Sequence, residues 1–407
     1  MRMIPLQALF ITRYYRPEVI GSGPFCGDLA EWLNQHGYRV TVLTGYPYYP
    51  LGQEFPGYGG NGPSLELMNG VRVERVRTRI PARASTISRI ISDASFLLSG
   101  LWALLNRRVV RSSLVVSLCP SILAVALGMV ARRHGGRHIA VVHDIQSGLA
   151  RGLGMVGSSW LLRLIMWCEK FVLNRVDLVA VLTEEMRQQL HGIGVRAPIE
   201  VIPIWVDTSQ ICPVNRLGDG PIKILYSGNL GKKQGLGQII ALAEELQRER
   251  PDIEIIVRGN GSQAADLKTE IRNKGLQNIR LTELLPPERL SQGLAEGDIH
   301  LVPQDPEGAE FAVPSKIFSV MAAGRPFIAT ARPGSPLSRL QQKSRAFLCA
   351  PPNDAGAFAQ AVLQLADDEQ GRAELGARGR EFVEQHCSKA KVLGEFTTLI
   401  EALYASR

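Results

Sequence analysis

Short apolar runs alternate along this chain with longer segments whose apolar residues recur every three or four positions. The runs read as buried strands and the longer segments as amphipathic helices, so the alternation predicts parallel sheets with helices on both faces. Leu6–Thr12 reads as the first strand, Ser22–His36 as a helix and Arg39–Leu43 as the second strand. Val71–Val76, Leu114–Leu118, His138–Val142, Leu178–Thr183 and Glu200–Pro203 continue the series. The same grammar restarts at Ile222–Ser227, which leads through the glycine-rich turn Gly228–Gly235 into a helix at Leu236–Glu249. Strands follow at Ile253–Val257, Asn278–Leu281, Ile299–Val302 and Phe327–Thr330, with helices at Gln263–Lys274, Pro287–Glu296 and about Ser315–Ala323 between them. The polar stretch Asp207–Gly220 separates the two series, and Asp367–Arg407 reads as two helices split near Cys387. Two doubly wound units in tandem place a cleft between the carboxyl ends of their strands.

A length of 407 residues suits two domains, and 45% hydrophobic against 21% charged residues lets each bury a core. The net charge of +8 is uneven. Residues 1–200 hold 22 Lys and Arg against 13 Asp and Glu, and nearly all the excess is arginine. No nucleic-acid-binding motif accompanies it, which leaves an anionic membrane surface as the partner that suits a basic half. No signal peptide is visible, and the longest clean apolar run, Phe96–Leu105, is half the ~20 residues of a membrane span. These features imply a cytoplasmic protein. Ile87–Val110 reads as a helix with Arg83 and Arg89 near its start and Arg107, Arg108 and Arg111 near its end. It suits either an anionic bilayer interface or a buried helix with basic ends. The six cysteines are scattered without a Cys-x-x-Cys pair, so reduced and mostly buried thiols are expected, and no metal site.

Four stretches carry candidate chemistry. Gly21 and Gly23 lie in a loop that opens a helix, where free amides attract phosphate. Tyr226–Leu236 repeats strand, glycine turn and helix, with Lys232 and Lys233 beside exposed amides, and suits a diphosphate. Gly308–Thr330 sets Glu310, free amides and Lys316 around a helix start that Ser315 could cap. His143-Asp144 ends a Val/Ile-rich strand and points toward the cleft. No Asp-x-Asp pair stands where a strand end would hold a divalent metal, which favours diphosphate handling by amides and cations alone.

Seven motifs stand in order between residues 14 and 326: Tyr15-x-Pro-Glu18, Gly21-x-Gly23, Thr44-Gly-Tyr-Pro-Tyr-Tyr-Pro50, Ile202-Pro-Ile-Trp-Val-Asp207, Gly228-Asn-Leu-Gly-x-Lys-Gln-Gly-Leu236, Gly259-Asn-Gly261, and Pro314-Ser-Lys316 with Met321-Ala-Ala-Gly-Arg-Pro326. Together they resemble glycosyltransferase family 4, in the branch of colanic-acid and O-antigen biosynthesis enzymes. The resemblance implies the GT-B fold, two Rossmann-like domains facing across a cleft. An acceptor-binding domain would span residues 1–206 and a nucleotide-sugar-binding domain 207–385, with 386–407 a helix packing back on the first. It implies retaining transfer from a UDP- or GDP-sugar to a polyprenyl-diphosphate-linked saccharide in exopolysaccharide or O-antigen synthesis, with no cofactor and no metal. Lys233 would hold the diphosphate with amides near Gly228–Asn229 and Val313–Ser315. Lys316 would stand beside the phosphate, and Gly259, Gly261 and Leu285 near the base. Glu310 would reach the donor sugar, Gly21 and Gly23 would close on the phosphates, and Asp144 would stand near the attacking hydroxyl. Many members carry two glutamates eight residues apart here; in this chain Phe311 and Ser319 occupy those positions, with Glu310 shifted by one. An epimerase of the same fold and a silent nucleotide-sugar-binding protein remain open at this stage.

Overall fold

The computed structural model describes residues 6–18, 21–49, 52–60, 62–81, 86–119, 121–145, 159–215, 220–231, 234–305 and 313–405. Two compact units emerge, Met1–Pro203 with Leu393–Arg407, and Ile204–Val392.

The first unit contains β1 (Gln7–Ile11), α1 (Gly23–Gln35), β2 (Arg39–Gly45), β3 (Leu65–Met68), β4 (Val71–Val76), α2 (Thr86–Leu105), β5 (Ser112–Cys119) and α3 (Ile122–Ala131). It continues through β6 (Arg132–Val142), α4 (Ser159–Leu173), β7 (Leu178–Val181), α5 (Glu184–Gly192) and β8 (Ile199–Val201). The sheet order is β3-β4-β2-β1-β5-β6-β7-β8, parallel except for β3 on β4. Its central strands are buried along most of their length, as covered parallel strands must be. In α1 the residues Cys26, Leu29, Ala30 and Leu33 line the buried face at helical spacing. Trp32 on α1 donates its Nε1–H to Thr397 at 3.1 Å, and the Tyr404 hydroxyl donates to the Ser113 carbonyl at 2.6 Å. Leu393, Phe396 and Ile400 are buried.

The second unit contains β9 (Lys223–Ser227), α6 (Gly237–Glu249), β10 (Glu254–Arg258), α7 (Ala264–Asn273), β11 (Ile279–Thr282), α8 (Leu290–Ala295), β12 (Ile299–Val302) and α9 (Lys316–Ala322). Then come β13 (Phe327–Thr330), α10 (Pro336–Ser344), β14 (Leu348–Ala350), α11 (Ala355–Asp367), α12 (Glu369–His386) and α13 (Lys389–Ala405), the last continuing into the first unit. The six strands are all parallel, in the order β11-β10-β9-β12-β13-β14. Ile239, Ile240, Leu242, Ala243 and Leu246 seat α6 on the sheet.

Several sequence expectations change. Pro287–Glu296 is a short 3₁₀ turn followed by α8, not one helix. Cys26, Cys119 and Cys387 are buried as expected, but Cys212 and Cys349 are exposed. The helix expected over Ile87–Val110 ends at Leu105: Arg107 takes a left-handed φ of 56°, and the Arg108 amide returns to the Ala103 carbonyl. Within it, Ser88–Leu105 is long and apolar enough to cross a membrane, contrary to the expectation that no stretch qualifies. Arg89 and Asp93 interrupt its apolar run. One face of α2 packs Phe96 and Ala103 into a core with Leu9, Val115 and Leu127. The helix approaches α3 so closely that a Cβ on Gly100 would strike Leu127.

Candidate active site

The order of the second sheet reverses between β9 and β12, which lie side by side. Loops leaving two such strands run to opposite faces and open a crevice at their carboxyl ends. Gly228 and Asn229 leave β9 there, and Gly259–Gly261 leave β10. Backbone bonds zip these loops together: Gly228 N–H to the Arg258 carbonyl and Leu230 N–H to the Asn260 carbonyl, both 2.9 Å. Gly259 has to be glycine, because a Cβ would collide with the Gly228 carbonyl oxygen.

Lys316 enters this corner at the start of α9. The residue is half-buried, yet its ammonium is shielded from solvent and has no hydrogen-bond partner among the described residues. Nζ sits 3.7 Å from the centroid of the Tyr226 ring and beside the α-carbon side of Gly228. The Tyr226 hydroxyl is turned away, donating to the Asn229 carbonyl at 2.7 Å. Desolvation lowers the Lys316 ammonium to about 7, because the ring face offsets only part of the lost hydration. His300 on the neighbouring strand is buried and held at about 4, first by desolvation, so it adds no charge at neutral pH. Among the described residues the corner therefore presents a dry ammonium and glycine-opened backbone, an arrangement matched to an oxyanion.

Gly228, Asn229, Gly259, Gly261 and Lys316 thus come together. Leu285 follows β11 and lies against Gly293, next to the buried Arg258. Val313 packs at the edge of the α9 core. Ser315 occupies the N-cap position but makes no side-chain cap bond, contrary to expectation: its backbone is already helical, with φ −58° and ψ −27°, instead of the extended form a capping hydroxyl needs. Ser319 stands half-buried on α9. Lys233, Glu310 and Phe311 lie outside the described residues.

The first sheet reverses between β1 and β5. Gly21, with φ +79°, and Gly23 leave β1, and a Cβ on Gly23 would press on the Glu18 carbonyl at 3.1 Å. Glu18 pins the neighbouring loops by accepting the backbone N–H groups of Tyr15, Tyr48 and Tyr49. Arg13 is buried here: it pairs with Asp93 of α2 and donates to the Tyr48 hydroxyl at 3.0 Å and the Ser92 hydroxyl at 2.7 Å. His143 and the half-buried Asp144 follow β6. The His143 ring meets Phe25 of α1 edge-on at 5.7 Å, and burial lowers it to about 4. Its Nε2 is buried without a hydrogen-bond partner among the described residues. His143 is therefore a neutral donor or acceptor beside Asp144 at this corner. The Arg13–Asp93–Tyr48 cluster was not anticipated, since its members lie far apart in sequence.

Residues 21–205 match the glycosyl transferase 4-like domain, and residues 207–382 match the glycosyl transferases group 1 domain. The chain is 28% identical over 402 residues to a putative colanic acid biosynthesis glycosyl transferase, WcaI, of Escherichia coli K12, covering 94% of this chain and 96% of that one. Its fold resembles sucrose-phosphate synthase of Thermosynechococcus elongatus, with a TM-score of 0.77 at 17% identity over 99% of this chain and all of that one. It also resembles Anabaena HepE solved with UDP and glucose, with a TM-score of 0.68 at 15% identity over 97% and 99%. Two sheets with their glycine loops at the reversal points, each half under its own glycosyltransferase domain, place the chain in the family 4 glycosyltransferases of GT-B fold.

Proposed function

We propose that this glycosyltransferase transfers a sugar, with retention, from a UDP- or GDP-sugar to a polyprenyl-diphosphate-linked saccharide in exopolysaccharide or O-antigen synthesis. It works at the cytoplasmic surface of the inner membrane, held peripherally. The observation that carries the donor half of this reading is the dry ammonium of Lys316 over the Gly228 loop, unbonded among the described residues. A buried cation with no counter-ion among the described residues is costly, and a diphosphate would supply the missing charge. As the bond from the anomeric carbon to the diphosphate breaks, negative charge grows on the phosphate oxygens. A fixed cation and amides then stabilise the departing group more than the bound donor, which lowers the barrier. Lys233 and the Val313–Ser315 amides would share that task without a metal, and Glu310 would hold the donor sugar. The leaving phosphate oxygen takes the acceptor's proton, with His143 and Asp144 orienting the hydroxyl. The colanic-acid relative and the UDP-bound HepE support this reading by chemistry and fold.

A donor screen tests it. Purified protein is offered UDP- and GDP-sugars with and without a membrane-lipid extract, and release of nucleoside diphosphate is followed. Release from one donor, dependent on the extract and lost in Lys316→Met, is expected. Nucleotide binding with no release under any condition would overturn transfer in favour of a silent binding protein. Release without any acceptor product would overturn the lipid-linked acceptor.

A further inference from the structure

The first unit carries a second apolar surface that its core does not use. On α4, Trp160, Leu164, Trp167 and Phe171 recur at helical spacing along one stripe, and all are exposed, Trp160 at 66% and Trp167 at 58%. On α2, Ile91, Leu98, Trp102 and Leu105 form a second outward stripe, with Trp102 at 63%. Helix α3 packs against both α2 and α4, and its Val130 is exposed as well. An amphipathic helix normally turns its apolar stripe to the core. These two helices already do so through Phe96 and Ala103, and through Val172 and Leu173, and then present another stripe to solvent.

Charge identifies what covers this face. Residues 86–175 hold eleven Arg and Lys against three Asp and Glu; Arg108 pairs with Glu74, and Arg132 and Arg137 pair with Asp177, which leaves the excess on the others. Of the three carboxylates Glu169 is buried, Asp93 pairs with the buried Arg13, and Asp144 follows the end of β6. Arg89, Arg107, Arg163 and Arg175 are exposed. The Arg175 guanidinium stacks 3.4 Å from the Phe171 ring centroid, which joins cation and aromatic in one contact. A second copy of the chain would bring arginine against arginine. Interfacial tryptophans, an apolar stripe and a cationic rim fit an anionic bilayer surface.

We propose that α4 and α2 together form a monotopic docking face for anionic phospholipid, with the α4 aromatic stripe as an insertion element in its own right. This deepens the lipid-linked-acceptor reading and rests on it for its purpose, but its test does not require turnover. The full chain is sedimented with vesicles of phosphatidylethanolamine containing phosphatidylglycerol, and with neutral phosphatidylcholine vesicles. Wild type should pellet only with the anionic vesicles and should be released by high salt. Trp160→Gln with Trp167→Gln, and separately Arg163→Glu with Arg175→Glu, should each weaken partition about tenfold or more. Both variants should keep nucleoside diphosphate binding, which reports the fold. In vesicles of brominated lipid, wild-type tryptophan emission should be quenched, and the Trp160/Trp167 variant should lose most of that quenching.

Three outcomes overturn the proposal: no binding of wild type to anionic vesicles, wild-type partition by the α4 variants, or a dimer in solution that the α4 substitutions dissociate. Vesicle binding by a protein that turns over no donor would leave the docking face standing and sink the transferase reading instead.

Discussion

Each parallel sheet ends in a corner that holds a buried cation, and the two cations are treated in opposite ways. Arg13, after β1, is met by the Asp93 carboxylate and two hydroxyls. Lys316, beside the β9 loop, meets a ring face and no hydrogen-bond acceptor among the described residues. A compensated charge ties elements together, here the β1 loop to α2. An uncompensated one stores the capacity to bind an anion.

Arg13→Met should be the most damaging change to stability, about 3–5 kcal/mol, because it strands the Asp93 carboxylate in an already desolvated place. Denaturant titration checks it, and Arg13→Met with Asp93→Leu should recover part of the loss. Lys316→Met should act in the opposite sense. Turnover should fall about 10²–10³-fold, on the scale of a lost oxyanion donor, while the denaturation midpoint holds or rises. If Lys316→Met instead unfolds the protein, the contrast fails. Gly259→Ala should cost about 1–3 kcal/mol by forcing the two glycine loops apart, and should weaken nucleotide binding in isothermal titration.

The pH dependence sharpens the same contrast. In the free protein the Lys316 ammonium titrates at about 7. A bound diphosphate favours its charged form, so binding above pH 7 takes up a proton. Affinity should be flat below pH 7 and weaken above it by up to about tenfold per pH unit. Calorimetry in buffers of different ionisation enthalpy reads the proton directly. Tyr226→Phe should be the mildest change, about 1 kcal/mol, since it deletes only the hydroxyl bond to Asn229 and keeps the ring beneath Lys316.

The alternation of strands and helices was readable because parallel strands buried on both faces are near-continuous apolar runs. The strands that escaped notice, β3 and β14, are short edge strands with half-exposed side chains and so carry no such run. Lys316 could be found from its Pro-Ser-Lys triplet. That its ammonium is dry could not, because the ring that covers it comes from β9, far away in sequence. Nor could apolar composition say which face of α2 meets solvent, because that depends on which neighbours the helix has. The α4 stripe was hidden by Arg163, Glu169 and Lys170, which interrupt the run without interrupting the face.

Residues 393–407 complete the first unit through Leu393, Phe396, Ile400 and the Thr397 and Tyr404 bonds. A ribosome makes those residues only after the whole of Ile204–Val392 has been built. The usual order, in which the amino-terminal domain matures first during synthesis, is therefore inverted. The second unit can close while the chain is still growing, whereas the first waits for the last helix with part of its apolar surface uncovered.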